Sequence, residues 1–308
     1  MPLRMLIACL LCLSVLPGCR APRPDGSASH LPPEKNLLIL DVVQAGDRLI
    51  AVGEMGSILV SDDQGTHWQK STSPSSALLT AVHFVDSQHG WAVGHDLQIL
   101  ATQDGGMTWS QQHAAPEESR PLLDVWFKNA QEGFAIGAYG ALLATTDGGK
   151  TWQNRQSPDD DRHLYSITAL PDGTLFIAGE TGTLRRSVDG GATWQPLTTP
   201  YGGSYFGMLP VENNTLLLFG LRGHILRSED KGEHWAEVAS PVNASLMSGI
   251  KRQNGNIILA GAAGTVLESS DQGRHFTKLA IPGHLAWADI IESKRGLILA
   301  GEPGVFQP

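Results

Sequence analysis

Six aspartates, Asp63, Asp104, Asp147, Asp189, Asp230 and Asp271, recur at intervals of 41, 43, 42, 41 and 41 residues. Carboxylates in register are what an oxygen-ligated calcium site needs, or a glycoside hydrolase with two carboxyl groups roughly 5–9 Å apart. Each, however, belongs to one string of hydroxyl residue, x, Asp, x, Gly, x, Thr or His, aromatic: Ser61–Trp68, Thr102–Trp109, Thr145–Trp152, Ser187–Trp194, Ser228–Trp235 and Ser269–Phe276. In that company an aspartate accepts backbone N–H groups of a turn, the glycine takes a positive φ, and the aromatic packs between sheets. With one such turn per repeat the carboxylates stand far apart, so the six read as architecture. His67, His234 and His275 lie in the same strings, and no His-x-x-x-His spacing occurs; neither a metal nor a cofactor is expected.

A second column counts the repeats as seven. An apolar run ending in glycine reads Ala51-Val52-Gly53, Ala92-Val93-Gly94, Ala135-Ile136-Gly137, Ile177-Ala178-Gly179, Leu218-Phe219-Gly220, Leu259-Ala260-Gly261 and Leu299-Ala300-Gly301. Around these columns each unit parses into four short strands, for the third at 122–127, 133–137, 141–146 and 151–154. Units of this period bury their apolar faces only against neighbours, which predicts an all-β fold: a seven-bladed β-propeller of four-stranded antiparallel blades over residues 37–308. Residues 305–308 fall in the third strand of unit seven. A fourth strand is missing there; the candidate lies between Ser27 and Leu31, flanked by prolines, and a weak closure is expected.

Residues 1–18 read as a secretion signal, with Arg4 ahead of the apolar stretch Met5 to Leu16. Leu16-Pro17-Gly18-Cys19 resembles a bacterial lipobox, which would make Cys19 the lipidated amino terminus; an ordinary cleavable signal is the alternative. Residues 19–36, with Pro22, Pro24, Pro32 and Pro33, then form a tether. Cys9 and Cys12 would leave with the signal, so no internal disulfide is expected. Arg20 after the cysteine favours the outer membrane over the inner, on the periplasmic side. Net charge is −9 with Lys and Arg scattered, which excludes the basic stripe of a nucleic-acid binder. A monomer is expected.

The repeated string is similar to the Asp-box, or bacterial neuraminidase repeat, which marks a hairpin in β-propellers and is shared by sialidases and non-enzymes. With Leu37-Leu38-Ile39-Leu40-Asp41-Val42 and Pro121-Leu122-Leu123-Asp124-Val125-Trp126-Phe127 opening blades, residues 36–308 resemble the photosystem II stability/assembly factor family. The resemblance implies a lumenal or periplasm-side propeller, lipid-anchored in some members, that helps assemble a membrane protein complex without catalysis. The partner expected is therefore a membrane protein, with the membrane itself reached through the lipid.

Function should sit where blades differ. In a propeller the loops between strands two and three share one face with the inter-blade connections, and there Glu54, His95, Tyr139, Glu180, Arg222 and Glu302 form a mixed set suited to a polar or basic partner, or simply solvated tips. Strand one lines the channel, so Asp41, Asp124, Ser166 and Asp289 are placed inward, where acids of blades one, three and seven could meet as a catalytic pair or as water-linked lining. Arg185, Arg186, Arg222 and Arg227 could form a basic patch on blades four and five. The rival function is a sialidase-like glycoside hydrolase. That resemblance should bring an arginine triad, a tyrosine nucleophile paired with Glu and a Phe-Arg-Ile-Pro segment, and these do not assemble in the sequence.

Overall fold

The computed structural model describes residues 37–155, 161–212, 214–281, 285–302 and 304–308. Within them lie seven sheets, six of four strands and one of three, each an antiparallel meander in chain order. The protein is a seven-bladed β-propeller. Blade three runs through Leu122–Phe127, Gly133–Gly137, Leu142–Thr145 and Gln153–Asn154, close to the expected bounds. Blade seven, the three-stranded sheet, comprises Trp287–Ser293, Gly296–Gly301 and Gly304–Phe306. The segment 27–31, the signal, Cys19 and the tether lie outside the described residues.

Burial peaks at the second strand, between a half-buried first strand at the channel, such as Leu122–Phe127, and an exposed outer strand. Second strands such as Gly133–Gly137 and Leu175–Gly179 are buried at every position, whereas outer strands such as Gln153–Asn154 are exposed. This is the reason the second strands read as unbroken apolar runs: both faces are covered by neighbouring blades. Each inter-blade interface holds its own apolar cluster. Trp91 of blade two stacks on Phe127 of blade three at 3.5 Å and 6°, and Leu37, Ile39 and Val42 of blade one join Ile298 and Ala300 of blade seven. The ring thus closes by the same packing that joins every other pair of blades, a core no single blade could bury alone.

Close backbone approach accounts for the glycine column. A Cβ on Gly53, Gly94, Gly137, Gly179, Gly220, Gly261 or Gly301 would stand 2.0–2.3 Å from a carbonyl oxygen of the residue leading into the blade's first strand. The same carbonyl accepts the N–H of the next residue, as Pro121 does from Ala138 at 3.0 Å. Gly53, Gly137 and Gly220 have extended φ, so clearance, not conformational freedom, demands glycine.

The Asp-boxes form the turns between strands three and four, at the opposite end of the blades from the two–three loops. Asp147 accepts Thr151 N–H at 2.9 Å and the Thr151 hydroxyl at 2.7 Å, and the Thr145 hydroxyl bridges Asp147 and the Gly149 N–H, each at 2.9 Å. The other five repeat this scheme, with histidine replacing threonine at His67, His234 and His275. Neighbouring blades then grip these turns through their carbonyls: Arg48 reaches Gly105 at 2.9 Å, Trp91 reaches Gly148 at 3.3 Å, and Arg227 reaches Gln272 at 2.9 Å.

Candidate partner-binding face

At each two–three loop the chain must reverse over two residues. Met55 (φ 55°, ψ 33°), Tyr139 (φ 55°, ψ 40°) and Arg222 (φ 58°, ψ 26°) are left-handed, and each is followed by a left-handed glycine, Gly56, Gly140 or Gly223. Asp96, Thr181 and Ala263 are left-handed at the matching positions of blades two, four and six. Two left-handed residues in succession make a hairpin turn that matches strand twist, but its first position favours Asn or Gly. A side chain with Cβ costs about 1–2 kcal/mol there. The loops are seated by the next inter-blade connection: Gly140 N–H donates to Arg162 carbonyl at 2.9 Å, and Gly182 N–H to Gly203 at 2.8 Å.

The six loop residues singled out in the sequence do share this face, but they stand at two levels. Glu54, His95, Glu180 and Glu302 come directly after the glycine, and their N–H groups bond back to the entering strand. The Glu54 carboxylate also accepts Leu38 N–H at 3.0 Å. His95 has its Nε2 sealed without a partner, and burial lowers its pKa. Tyr139 and Arg222, one residue later, are at the tips. The sequence reading missed the tips Met55, Asp96, Thr181 and Ala263, although the spacing of the glycines marks the second residue after the first glycine as the apex. Met55 is 64% exposed and Tyr139 41%.

From the Tyr139 tip a line of rings descends to the channel. Tyr139 meets His163 edge-on at 4.9 Å, and its N–H donates to His163 Nδ1 at 2.9 Å. His163 meets Tyr165 at 6.2 Å, and Tyr165 meets Phe206 at 5.3 Å. Beside them Tyr201 stacks on His224 at 3.7 Å. Nothing in the repeat flags these rings, because they occupy variable positions.

Each first strand carries a one-residue bulge next to its start, as between Ile39 and Asp41 or Trp287 and Asp289. The residue following the bulge is Asp41, Ala81, Asp124, Ser166, Gly207, Ser248 or Asp289, and together with the bulged residues these line a central cavity of about 180 Å³. The four channel residues named from the sequence therefore stand at one level. The three acids are occupied by neighbouring blades: Asp289 accepts Val42 N–H at 3.0 Å, Asp41 accepts Val82 N–H at 2.7 Å, and Asp124 accepts Ile167 N–H at 2.8 Å. Ser248 also donates to Asp289. Burial, then the Asp289 charge, holds Asp41 well above the usual carboxyl range; burial raises Asp289, and pushes Asp124 up to about 7. These bonds tie inner strands together across the 7–1, 1–2 and 3–4 interfaces.

Of the arginines that could form a basic patch on blades four and five, Arg222 is not brought together with Arg186 and Arg227. Arg222 is on the two–three loop face, while Arg186 pairs with Glu233 at 2.6 Å and Arg227 with Glu229, both at the Asp-box end. Side chains that grip the next blade's turn are unavailable as one surface with a loop tip at the other end.

Residues 68–121 and 116–255 match the family model described as photosynthesis system II assembly factor YCF48. The chain belongs to this family. A 42-residue stretch is 38% identical to the photosystem II assembly protein Ycf48 of Thermosynechococcus vestitus, spanning 14% of this chain and 12% of that protein. A solved structure described as YCF48 bound to D1 peptide superposes with a TM-score of 0.74 at 24% identity, covering 91% of this chain and 94% of the other. A streptogramin B lyase superposes with a TM-score of 0.78 at 13% identity, covering 91% and 95%. The fold is thus shared with an enzyme, and membership in the YCF48 family, an assembly-factor family, rests on the sequence model.

Proposed function

We propose that this YCF48-family propeller is a non-catalytic scaffold that holds a segment of a membrane protein on its two–three loop face during assembly or stabilisation of a membrane complex. The observation that carries this reading is the row of left-handed tips, where Met55, Tyr139 and Arg222 keep large side chains at a backbone position that favours glycine. Strain retained at successive loop apices on one face is a mark of a working surface. The D1-peptide complex of a relative supports a polypeptide as the ligand class. Export and a lipid on Cys19 would place the domain beside its partner and raise its effective concentration there.

Photocrosslinkers at Met55, Tyr139 and Arg222 should recover a membrane protein from native membranes, while the same probe at the exposed Val188 of an Asp-box should not. Equal capture from both ends would remove the assignment of the face. For the anchor, Cys19→Ser should move the protein from the membrane to the soluble fraction; unchanged acylated protein in membranes would exclude the lipobox.

A further inference from the structure

Among the described residues blade seven is one strand short, and Gly304–Phe306 is its outer edge where the other six blades carry a fourth strand. The chain enters blade one beside that edge: Leu37, ahead of the first strand, is buried in the cluster against which Val305 packs. The residues before Leu37 repeat the spacing of an inter-blade passage. Every fourth strand includes the residue ten positions before the next first strand, from Gln69 before Leu79 to Thr277 before Trp287. In the sequence a proline follows, five or six positions before that same first-strand residue, at Pro74, Pro116, Pro158, Pro200, Pro241 and Pro282. Proline suits such a passage because it cannot donate to a ladder. Counted back from Ile39, the two columns fall on Ser29 and Pro33.

We propose that residues 28–31 of this chain fill the open edge as the fourth strand of blade seven, and that residues 32–38 are the connection from that blade into blade one. The register follows from the repeat. In blades one, four, five and six the residues ten and nine positions before the next first strand pair with the third strand in one way, as Gln69 with Val60 and Lys70 with Leu59. Pairing with Ala300 puts Val305 where pairing with Val52 puts Ile58 in blade one, so Ser29 pairs with Gln307 and His30 with Phe306. Leu31 N–H then meets the Val305 carbonyl, as Ser71 meets Ile58 and Leu279 meets Val266, both at 2.8 Å. Its side chain takes the place of Leu197, Val238 and Leu279, each packed in an inter-blade cluster. A strand there also covers an edge that would otherwise pair with other chains. Pro32 and Pro33 become part of a blade connection, and the tether shortens to residues 19–27. Resting on the reading that Cys19 is lipidated, about nine residues with a reach of roughly 30 Å then make blade seven the rim held nearest the membrane.

The test is disulfide trapping in the full chain carrying Cys9→Ser, Cys12→Ser and Cys19→Ser, so that the outcome bears on closure whether or not the protein is lipidated. Ser29→Cys with Gln307→Cys sets two thiols on one face of a paired position, with Cα atoms about 5.5 Å apart, within disulfide reach. Ala28→Cys with Gln307→Cys is slipped by one residue and faces opposite sides of the sheet. In dilute protein under mild oxidation the first pair should close within one chain in most molecules, and the slipped pair roughly 5-fold less, read by the mass of the linked peptides. Amide exchange over residues 304–308 should be slow in the unaltered chain and about 10-fold faster in Ser29→Pro, which removes a ladder donor. Equal trapping of both pairs, or of neither, overturns the proposal. A protected edge without the 29–307 link, or a link between two chains, overturns it as well and gives the edge to another polypeptide strand.

Discussion

At the scale of single residues, the glycines and the tips oppose each other in what they demand. Gly137 has no room: a methyl there collides with Pro121 oxygen at 2.3 Å, so Gly137→Ala should destabilise by roughly 2–4 kcal/mol, read as a lowered urea midpoint with unchanged slope. Met55 has room and the wrong backbone. With φ 55° and 64% exposure, Met55→Gly should raise stability by about 1 kcal/mol while lowering partner capture; a variant that loses both would assign Met55 a structural role. The glycine column was legible in the sequence because a steric demand repeated in all seven blades leaves an identical letter at each. The tip residues were half legible. The spacing marks the apex, but Tyr139 and Arg222 attracted notice by side-chain type, and Met55, an apolar residue in a loop, did not.

The Asp-box shows at the scale of the element why a motif dense in chemistry performs none. Its carboxylate is saturated by its own turn: hydrogen bonding to the His67 N–H brings Asp63 down to about 2, and the Thr151 N–H does the same for Asp147. Among the polar side chains of the element the buried one is the leading hydroxyl. Thr145 is 4% exposed and bridges Asp147 and Gly149, so Thr145→Val, keeping shape and removing the bridge, should cost about 1–3 kcal/mol through the unsatisfied Gly149 N–H. Amide exchange should rise in the 145–151 turn, and uniform exchange across all blades would refute so local an effect. Sequence reading finds the Asp-box because all of its partners lie within eight residues. It could not find the arginine grips, since Arg227 and Gln272 are 45 residues apart and nothing local links them. For the same reason Arg186, Arg222 and Arg227 read as one patch, whereas antiparallel strands send their side chains to opposite ends of the propeller.

At the scale of the whole ring, the inner and outer carboxylates pull stability in opposite directions with pH. A buried acid whose folded pKa lies above its unfolded value of about 3.9 binds more protons folded than unfolded, so stability falls as pH rises between the two values. Asp124, pushed up to about 7 by burial, spreads that loss over roughly pH 4 to 7, on the order of 4 kcal/mol at the full shift. Asp41 and Asp289, also raised by burial, add to it with the same sign. The rim aspartates Asp63, Asp189 and Asp230, lowered to about 2, act oppositely: their contribution is present above about pH 4 and is lost as pH falls towards 2. Acids at the rim and acids at the channel of one ring therefore confine maximal stability to a band near pH 4 to 5. Urea midpoints from pH 3 to 8 should fall on both sides of that band. Asp124→Asn, which keeps one acceptor for the neighbouring N–H groups and loses the titration, should flatten the alkaline limb while leaving the acid limb in place. A midpoint that instead climbs steadily from pH 4 to 8 would mean that Asp124 is ionised in the folded ring, and that the channel holds its carboxylates charged.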